Sequence, residues 1–438
     1  MVKQELLPNI FLFITHDTGR HFGCYDPILQ TPNIDQLANN GVRFTNHFCT
    51  APQCSPSRGS LLTGKMPHSN GLMGLVNEGW DLPTSNKTLP DLLAGRSYST
   101  HLIGLQHEHL NAKELGYQTI SDRDDFPYVS DDVIPRVMKF IDDVENDKIL
   151  LPFFCSVGFF ETHIPFIVSD EVTVTPQEDI KVPEYLPDSP EIRETIAEFQ
   201  AAVASFDRKI GVILERLNDA SFASNTLIIF TVDHGWPFPR AKCTLYDPGI
   251  GTALIMHWPN RIEGGKLFSE LVSNIDLLPT LLELTGISIP EDVEGKSFYP
   301  LLFGGEYQPR DHIFVELTHH DIGFNPMRGI RTMRWKYIRN FASLPVLFEI
   351  PNDINDATPT GDAYRIHHPE YNSPRPQEEL YDLENDPNEL KNLANESIYS
   401  QIKEKLRFIL MDWLQKTDDP ILQGKVDPPI RSKNINKW

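Results

Sequence analysis

The sequence predicts an α/β sandwich built on a mixed, largely parallel sheet, followed by a small α+β domain. Two observations carry that expectation. Over the first three hundred residues, short continuously apolar runs alternate with segments of helical period, the pattern of strands covered on both faces by helices. After about Gly304 the pattern changes to three short strands and one late helix. The expected boundary separates residues 1–310 from residues 311–438.

Taken in order, Asn9–Thr15 is an unbroken apolar run and reads as a buried first strand. A helix over Pro32–Asn40 starts on a proline and stops at Gly41. A strand near Val42–Phe48 follows, then a helix that opens just after Cys54. Tyr98–Leu105 and Pro152–Phe159 are strand-like, and Asp131–Val144 is an amphipathic helix between them. Pro190–Leu217 holds a long 3.6-residue period, Thr226–Val232 is β-branched, and Thr252–Trp258 is a further strand. The helix Asp276–Leu284 ends at Gly286. In the second unit, Ile313–Leu317, Arg328–Met333 and Trp335–Arg339 read as strands, the last two as a meander, and Ile398–Leu414 as a helix. The Pro/Asn/Asp-rich stretch Pro351–Pro376 reads as an ordered excursion.

The 438 residues carry 39 basic against 61 acidic side chains, a formal net charge of −22. That field argues against nucleic acid as a partner, and an anionic substrate would need local cations or a metal. The five cysteines (Cys24, Cys49, Cys54, Cys155, Cys243) are odd in number and unclustered, with neither zinc-finger spacing nor a disulfide framework. They fit a reducing compartment. The apolar run Ile10–Ile14 is too short for a signal peptide or a membrane span. The expectation is a soluble cytoplasmic protein without membrane partners.

Three polar clusters fall where an open α/β sheet places its site, beyond the carboxyl ends of strands. His16-Asp17 follows the first strand, Asp233-His234-Gly235 follows Thr226–Val232, and Cys54-Ser55-Pro56-Ser57-Arg58 opens a helix. Singly, Asp-His-Gly is also a plain turn, and a lone cysteine is more often a small buried hydrophobe. Two carboxylate–imidazole pairs with a helix-start cysteine point to a metal site beside a nucleophile.

Cys54-Ser55-Pro56-Ser57-Arg58 through Leu62-Thr63-Gly64 resembles the sulfatase signature, the sequence recognised by the enzymes that oxidise its cysteine to formylglycine. Thr31–Asp35, Gly41–Phe44, Asn274–Leu281 and Glu379–Leu383 with Asp386-Pro387 and Asn392-Leu393 resemble further segments of that family. Within it, Trp236–Pro239 with Thr244–Gly249, His319–Asp321 with Pro326–Arg328, and Thr417–Pro420 are similar to the sulfamidases, the N-sulfoglucosamine sulfohydrolases of heparan breakdown. The resemblance implies an alkaline-phosphatase-like sandwich and hydrolysis of a sulfate ester or sulfamate on a sugar.

It further implies that Asp17, Asp233 and His234 hold one divalent cation, calcium by family, against formylglycine 54, whose hydrate attacks sulfur. Arg58 would favour the attacking alkoxide. His163 would bind sulfate and protonate the leaving atom, and Lys242 would offset charge on the sulfate oxygens. His107 would take a proton from the second hydroxyl, so that collapse to the aldehyde expels sulfate. His319, His320 and Arg328 are candidate sugar contacts. The implied partners are a small sulfated saccharide and a formylglycine-generating maturation enzyme; nothing fixes an oligomeric state.

Two positions depart from the family. His16 stands where a second acid is usual; as a ligand beside His234 it brings manganese, zinc or iron within range, and otherwise it only orients Asp17. Leu105 stands where a lysine is usual, leaving Gln106 or His109 to compensate. Two other functions stay open: a phosphonate or phosphate monoester hydrolase of the same superfamily, and an inactive homologue that binds sulfated glycans.

Overall fold

The computed structural model describes residues 7–121, 129–320, 323–342, 350, 353–354, 358–368 and 373–429. The larger unit contains β1 (Asn9–Thr15), β2 (Val42–Phe44), β3 (His47–Phe48), β4 (Ser99–Gly104), β5 (Thr119–Ser121), β6 (Phe153–Gly158), β7 (Thr226–Val232), β8 (Leu254–His257), β9 (Lys266–Phe268) and β10 (Val272–Ser273). Eight of these form one sheet in the order β5-β4-β6-β1-β7-β8-β2-β9. The five strands from β5 to β7 are mutually parallel; β8 runs antiparallel to both its neighbours.

Strand β1 shows why the expected sandwich forms. Its side chains alternate between faces: Phe11 and Phe13 enter one apolar cluster, and Ile10, Leu12 and Ile14 enter the other. The first cluster is closed by α1 (Pro32–Asn40) together with the helices Ser130–Glu145 and Pro190–Asn218. The second is closed by the helices Cys54–Thr63, Leu89–Ala94 and Leu277–Thr285. With both faces covered, the strand has no polar side to show, and its sequence is an unbroken apolar run. The start of α1 is capped from another helix: Asp207 accepts hydrogen bonds from the backbone of Asn33 (3.2 Å) and Ile34 (2.8 Å).

The register sets the ends of the central strands level. Ile14 lies opposite Gly158, Gly104 opposite Gly158, and Thr15 opposite Val232. Glycine is required where β4 and β6 finish, because a Cβ on Gly158 would lie 1.9 Å from the Leu105 carbonyl oxygen. Four neighbouring strands, β4, β6, β1 and β7, therefore release their chains at one edge.

The later residues form a second, antiparallel sheet of β11 (His312–His320), β12 (Gly323–Thr332), β13 (Trp335–Asn340) and β14 (Glu378–Asp382). The helix Ser400–Lys416 packs on it through Leu406, Leu410 and Leu414. Strands β11 and β12 meet directly, a pairing that the sequence reading missed because it ended Ile313–Leu317 three residues early and began β12 five residues late. Of the expected Pro351–Pro376 excursion, residues 351–352, 355–357 and 369–372 lie outside the described residues, as does Asp321; the rest contains the helix Thr360–His367. No described helix is long and apolar enough to cross a membrane.

Arg328, expected at the sugar, is placed inside this second unit. It is fully buried, with Nε and an Nη on the Asp419 carboxylate (2.6 and 3.1 Å) and the remaining Nη on the carbonyls of Leu317 and Met327. Beside it Glu316 accepts from the backbone and Nδ1 of His68 (2.8 and 2.5 Å), tying the sheet to the larger unit. Removing one member would leave buried charges uncompensated. Arg328→Ala should lower stability by about 3–5 kcal/mol, read as a large fall in the denaturation midpoint. A variant of full stability that only raises KM would restore the sugar contact.

Candidate metal centre and active-site cavity

The turn after β1 carries His16 and Asp17, and Asp17 takes a left-handed backbone (φ 52°), which short polar side chains tolerate best. Its backbone N–H donates to Asp233 Oδ1 at 3.0 Å, so the turns after β1 and β7 are locked together. The same carboxylate accepts from the backbone of His234 (2.8 Å). Cys54 is the first residue of a helix that is buried along its whole length. The residues behind it explain that helix's position: Ser57 Oγ donates to the Asp233 carbonyl (2.5 Å), Arg58 Nε to Asp233 Oδ2 (3.0 Å), and Asn274 Nδ2 to the Ser57 carbonyl (3.0 Å).

Donor atoms of His16, Asp17, Cys54, Asp233 and His234 then lie within 4.8 Å of one another, all buried. His16 Nδ1 is 2.7 Å from Asp17 Oδ1 and 3.4 Å from Asp233 Oδ2. His234 Nε2 is 2.9 Å from Asp17 Oδ1 and 3.4 Å from Cys54 Sγ. His234 Nδ1 donates to the Gly235 carbonyl (3.0 Å), which in the neutral ring turns the Nε2 lone pair onto an acidic oxygen. Lone pairs meeting there require a proton or a cation between them, so the donor set fits a divalent ion. Burial disfavours an imidazolium at His16, but Asp233, Cys54 and Asp17 outweigh it and raise its pKa to about 9. Asp17 is held well below the ordinary carboxylate value against its burial, chiefly by Lys242 and His234.

Above the cluster opens a cavity of about 360 Å³ whose lining includes His16, Cys54, His107, His163, Lys242 and His320. Leu105, Phe160, Ile164 and Pro165 supply apolar wall. Lys242 Nζ is bonded to Asp17 Oδ2 (2.6 Å), and burial of its ammonium is overridden by Asp17 and Asp353, which hold its pKa well above the ordinary value. Burial and Lys242 push His163 down to about 4; its Nδ1 donates to the Ile164 carbonyl (2.5 Å), and its Nε2 accepts from Lys242 (3.3 Å). His107 is also held well below its ordinary value, by burial and then by His16 and Arg58.

Not every expected residue meets the cavity. His319 turns away and hydrogen-bonds the Val426 carbonyl (2.6 Å) beside Trp80. Its neighbour His320 enters the lining from the end of β11. Gln106 touches the cavity but spends its amide on the backbone of Glu108 and His109, and His109 faces Asp81 at 3.8 Å. Neither supplies the cation missing at Leu105. The sequence reading missed Asn77, which lines the wall beside His107 (3.3 Å), and Asp353, which reaches Lys242 from the excursion after β13. No periodicity or motif marks either.

The comparisons with known proteins agree with this arrangement. The sulfatase family model matches residues 8–287, and a second, described as N-sulphoglucosamine sulphohydrolase, C-terminal, matches residues 233–368. Human N-sulphoglucosamine sulphohydrolase is 29% identical over 96% of this chain and 94% of its own. An ulvan-active sulfatase of Formosa agariphila is 30% identical over 98% of this chain and 84% of its own. Among solved structures, a 2-O GAG sulfatase superposes with a TM-score of 0.72 at 23% identity, covering 97% of this chain and 95% of that one. A protein solved in complex with its substrate, D-glucosamine-2-N,6-O-disulfate, gives 0.70 at 20% identity, over 96% of this chain and 100% of that one. At such identities the two structures speak for the fold alone. The family match spans most of the chain and takes in both Asp–His pairs, each just beyond the end of a strand: the chain belongs to the sulfatase family and is a sulfatase.

Proposed function

We propose that the protein releases sulfate from a small sulfated sugar, with formylglycine at position 54 as nucleophile and one divalent cation held by Asp17, Asp233, His16 and His234. The observation that carries this reading is the convergence of Cys54 with both Asp–His pairs at the floor of the 360 Å³ cavity. Burial pushes the Cys54 thiol above its ordinary value despite His16 and Lys242. A thiol so placed is a poor thiolate, so position 54 suits a nucleophile only after conversion by a maturation enzyme. Two carboxylates favour calcium, and two imidazoles extend the range to manganese, zinc or iron.

When bound, the cation and the hydrated aldehyde supply an oxygen nucleophile at neutral pH next to a polarised sulfate. The chain's own groups do the rest. Arg58, fixed on Asp233, keeps a positive charge beneath position 54. Lys242 and His163 face the incoming sulfate oxygens, and that added anion favours the protonated His163 needed at the leaving atom. His107, neutral in its buried place, is suited to take the proton from the hydroxyl at position 54. His320 is left as the sugar contact from the second sheet.

The human relative's name and the family model over residues 233–368 both support an amino-sugar substrate. A cavity of this size suits one sugar ring, and the net charge of −22 disfavours long polyanionic chains.

Three outcomes are expected. Cys54→Ala should abolish turnover with the fold intact, and the active protein's intact mass should show that one thiol has become an aldehyde, losing sulfur and two hydrogens and gaining one oxygen; multiple turnover by Cys54→Ala would sink the nucleophile assignment. Metal affinity, measured by chelator competition, should fall as the pH is lowered, because an ion displaces the protons that the neighbouring carboxylates favour on His16 and His234. An affinity and pH dependence unchanged in His16→Ala would leave His16 outside the ligand set. Finally, kcat/KM should be higher on N-sulfoglucosamine than on an aryl sulfate, intact heparin or a phosphonate monoester, and preference for the phosphonate would overturn the sulfatase substrate.

A further inference from the structure

Asp353 is an anomaly in a cavity built for an anion. Its Oδ2 accepts from Lys242 Nζ at 2.6 Å and lies 3.4 Å from His163 Nε2, on the two groups that the reading above assigns to the sulfate and its leaving atom. Burial works to raise its pKa, but Lys242 and His163 hold it down at about 2, so it is a carboxylate throughout the neutral range. Its side chain keeps about 25% of its surface exposed and lines the cavity, which leaves an oxygen able to meet a ligand. A carboxylate here repels sulfate oxygens, while the same oxygen attracts any hydrogen-bond donor on the substrate.

The candidates divide by chemistry. An ionised carboxylate only accepts hydrogen bonds. The bridging oxygen of a sulfate ester carries lone pairs and no hydrogen, so against Asp353 it would be acceptor facing acceptor. The bridging nitrogen of a sulfamate carries a hydrogen, and the departing amine becomes an ammonium, so that it is a donor before the reaction and a cation after it. We propose that Asp353 is a specificity-determining residue that accepts the sulfamate N–H and so selects S–N over S–O cleavage at this site. This rests on the proposed function and deepens it. In the selected step the oxygen at position 54 forms a bond to sulfur while the S–N bond breaks, its electron pair goes to nitrogen, and nitrogen takes a proton from His163. The amine takes a second proton from water, and Asp353 faces the resulting ammonium. Asp353 also lies in the segment matched by the N-sulphoglucosamine sulphohydrolase C-terminal model, residues 233–368.

The test compares two sugars that differ only at the bridging atom, N-sulfoglucosamine and glucose 2-O-sulfate, with the matured wild type, Asp353→Asn and Asp353→Ala. The wild type should favour the sulfamate. Both variants should lower kcat/KM on the sulfamate by about tenfold or more relative to any change on the ester, collapsing the preference. If both substrates lose equally, Asp353 merely positions Lys242, and the specificity role is overturned. If neither changes, it is overturned as well, while the sugar sulfatase reading stands. A matured wild type that turns over neither sugar overturns both.

Discussion

Two ionised carboxylates, Asp17 and Asp233, lie out of reach of solvent at the ends of adjacent parallel strands, and much of the surrounding structure compensates for that desolvation. A buried charge is tolerated only when its partners are close and well directed. Asp233 is met by the guanidinium of Arg58 and the backbone of residues 17 and 234; Asp17 is met by Lys242 and both imidazoles. Arg58, Lys242 and the turns after β1 and β7 come from separate parts of the chain, so the pairings also fix their relative positions. The Cys54 helix is held on Asp233 in the same way. Stability and the position of Cys54 are thus consequences of one electrostatic problem.

The level ends of β4, β6, β1 and β7 are what make this compensation possible. Because their registers coincide, the turns beyond them release His107, His163, the His16-Asp17 pair and the Asp233-His234 pair toward a common point. Glycine at the ends of β4 and β6 allows the chains to approach there without side chains between them. The local positive groups sit inside an acidic molecule, so the attraction for an anion is short-ranged and confined to the cavity.

The antiparallel sheet closes the cavity rather than standing apart from it. Phe48, Cys49, Ile250 and Leu271 of the larger unit share an apolar cluster with Ile313, Val315, Leu317 and Ile338. That shared packing brings His320 to the rim, and the chain after β13 brings Asp353 to Lys242. His320 and Asp353 therefore come from a part of the chain different from Cys54 and the two Asp–His pairs.

The sequence by itself determined the strands, because a strand buried on both faces must be apolar throughout; β1 and β7 have the bounds that the pattern predicts. It also determined the polar clusters beyond those strands and the Cys54 motif, since each is contiguous in the chain. Tertiary structure decided what depends on pairing across long distances. Arg328 reads as an open cation but meets Asp419, 91 residues away, and His319 and His320 separate because neighbours on a strand face opposite ways. Asp353 carries no local signal at all, for its meaning lies in Lys242, 111 residues earlier. Period and motif register only what neighbours along the chain share; the charge balance of a buried site is settled by groups that folding alone brings together.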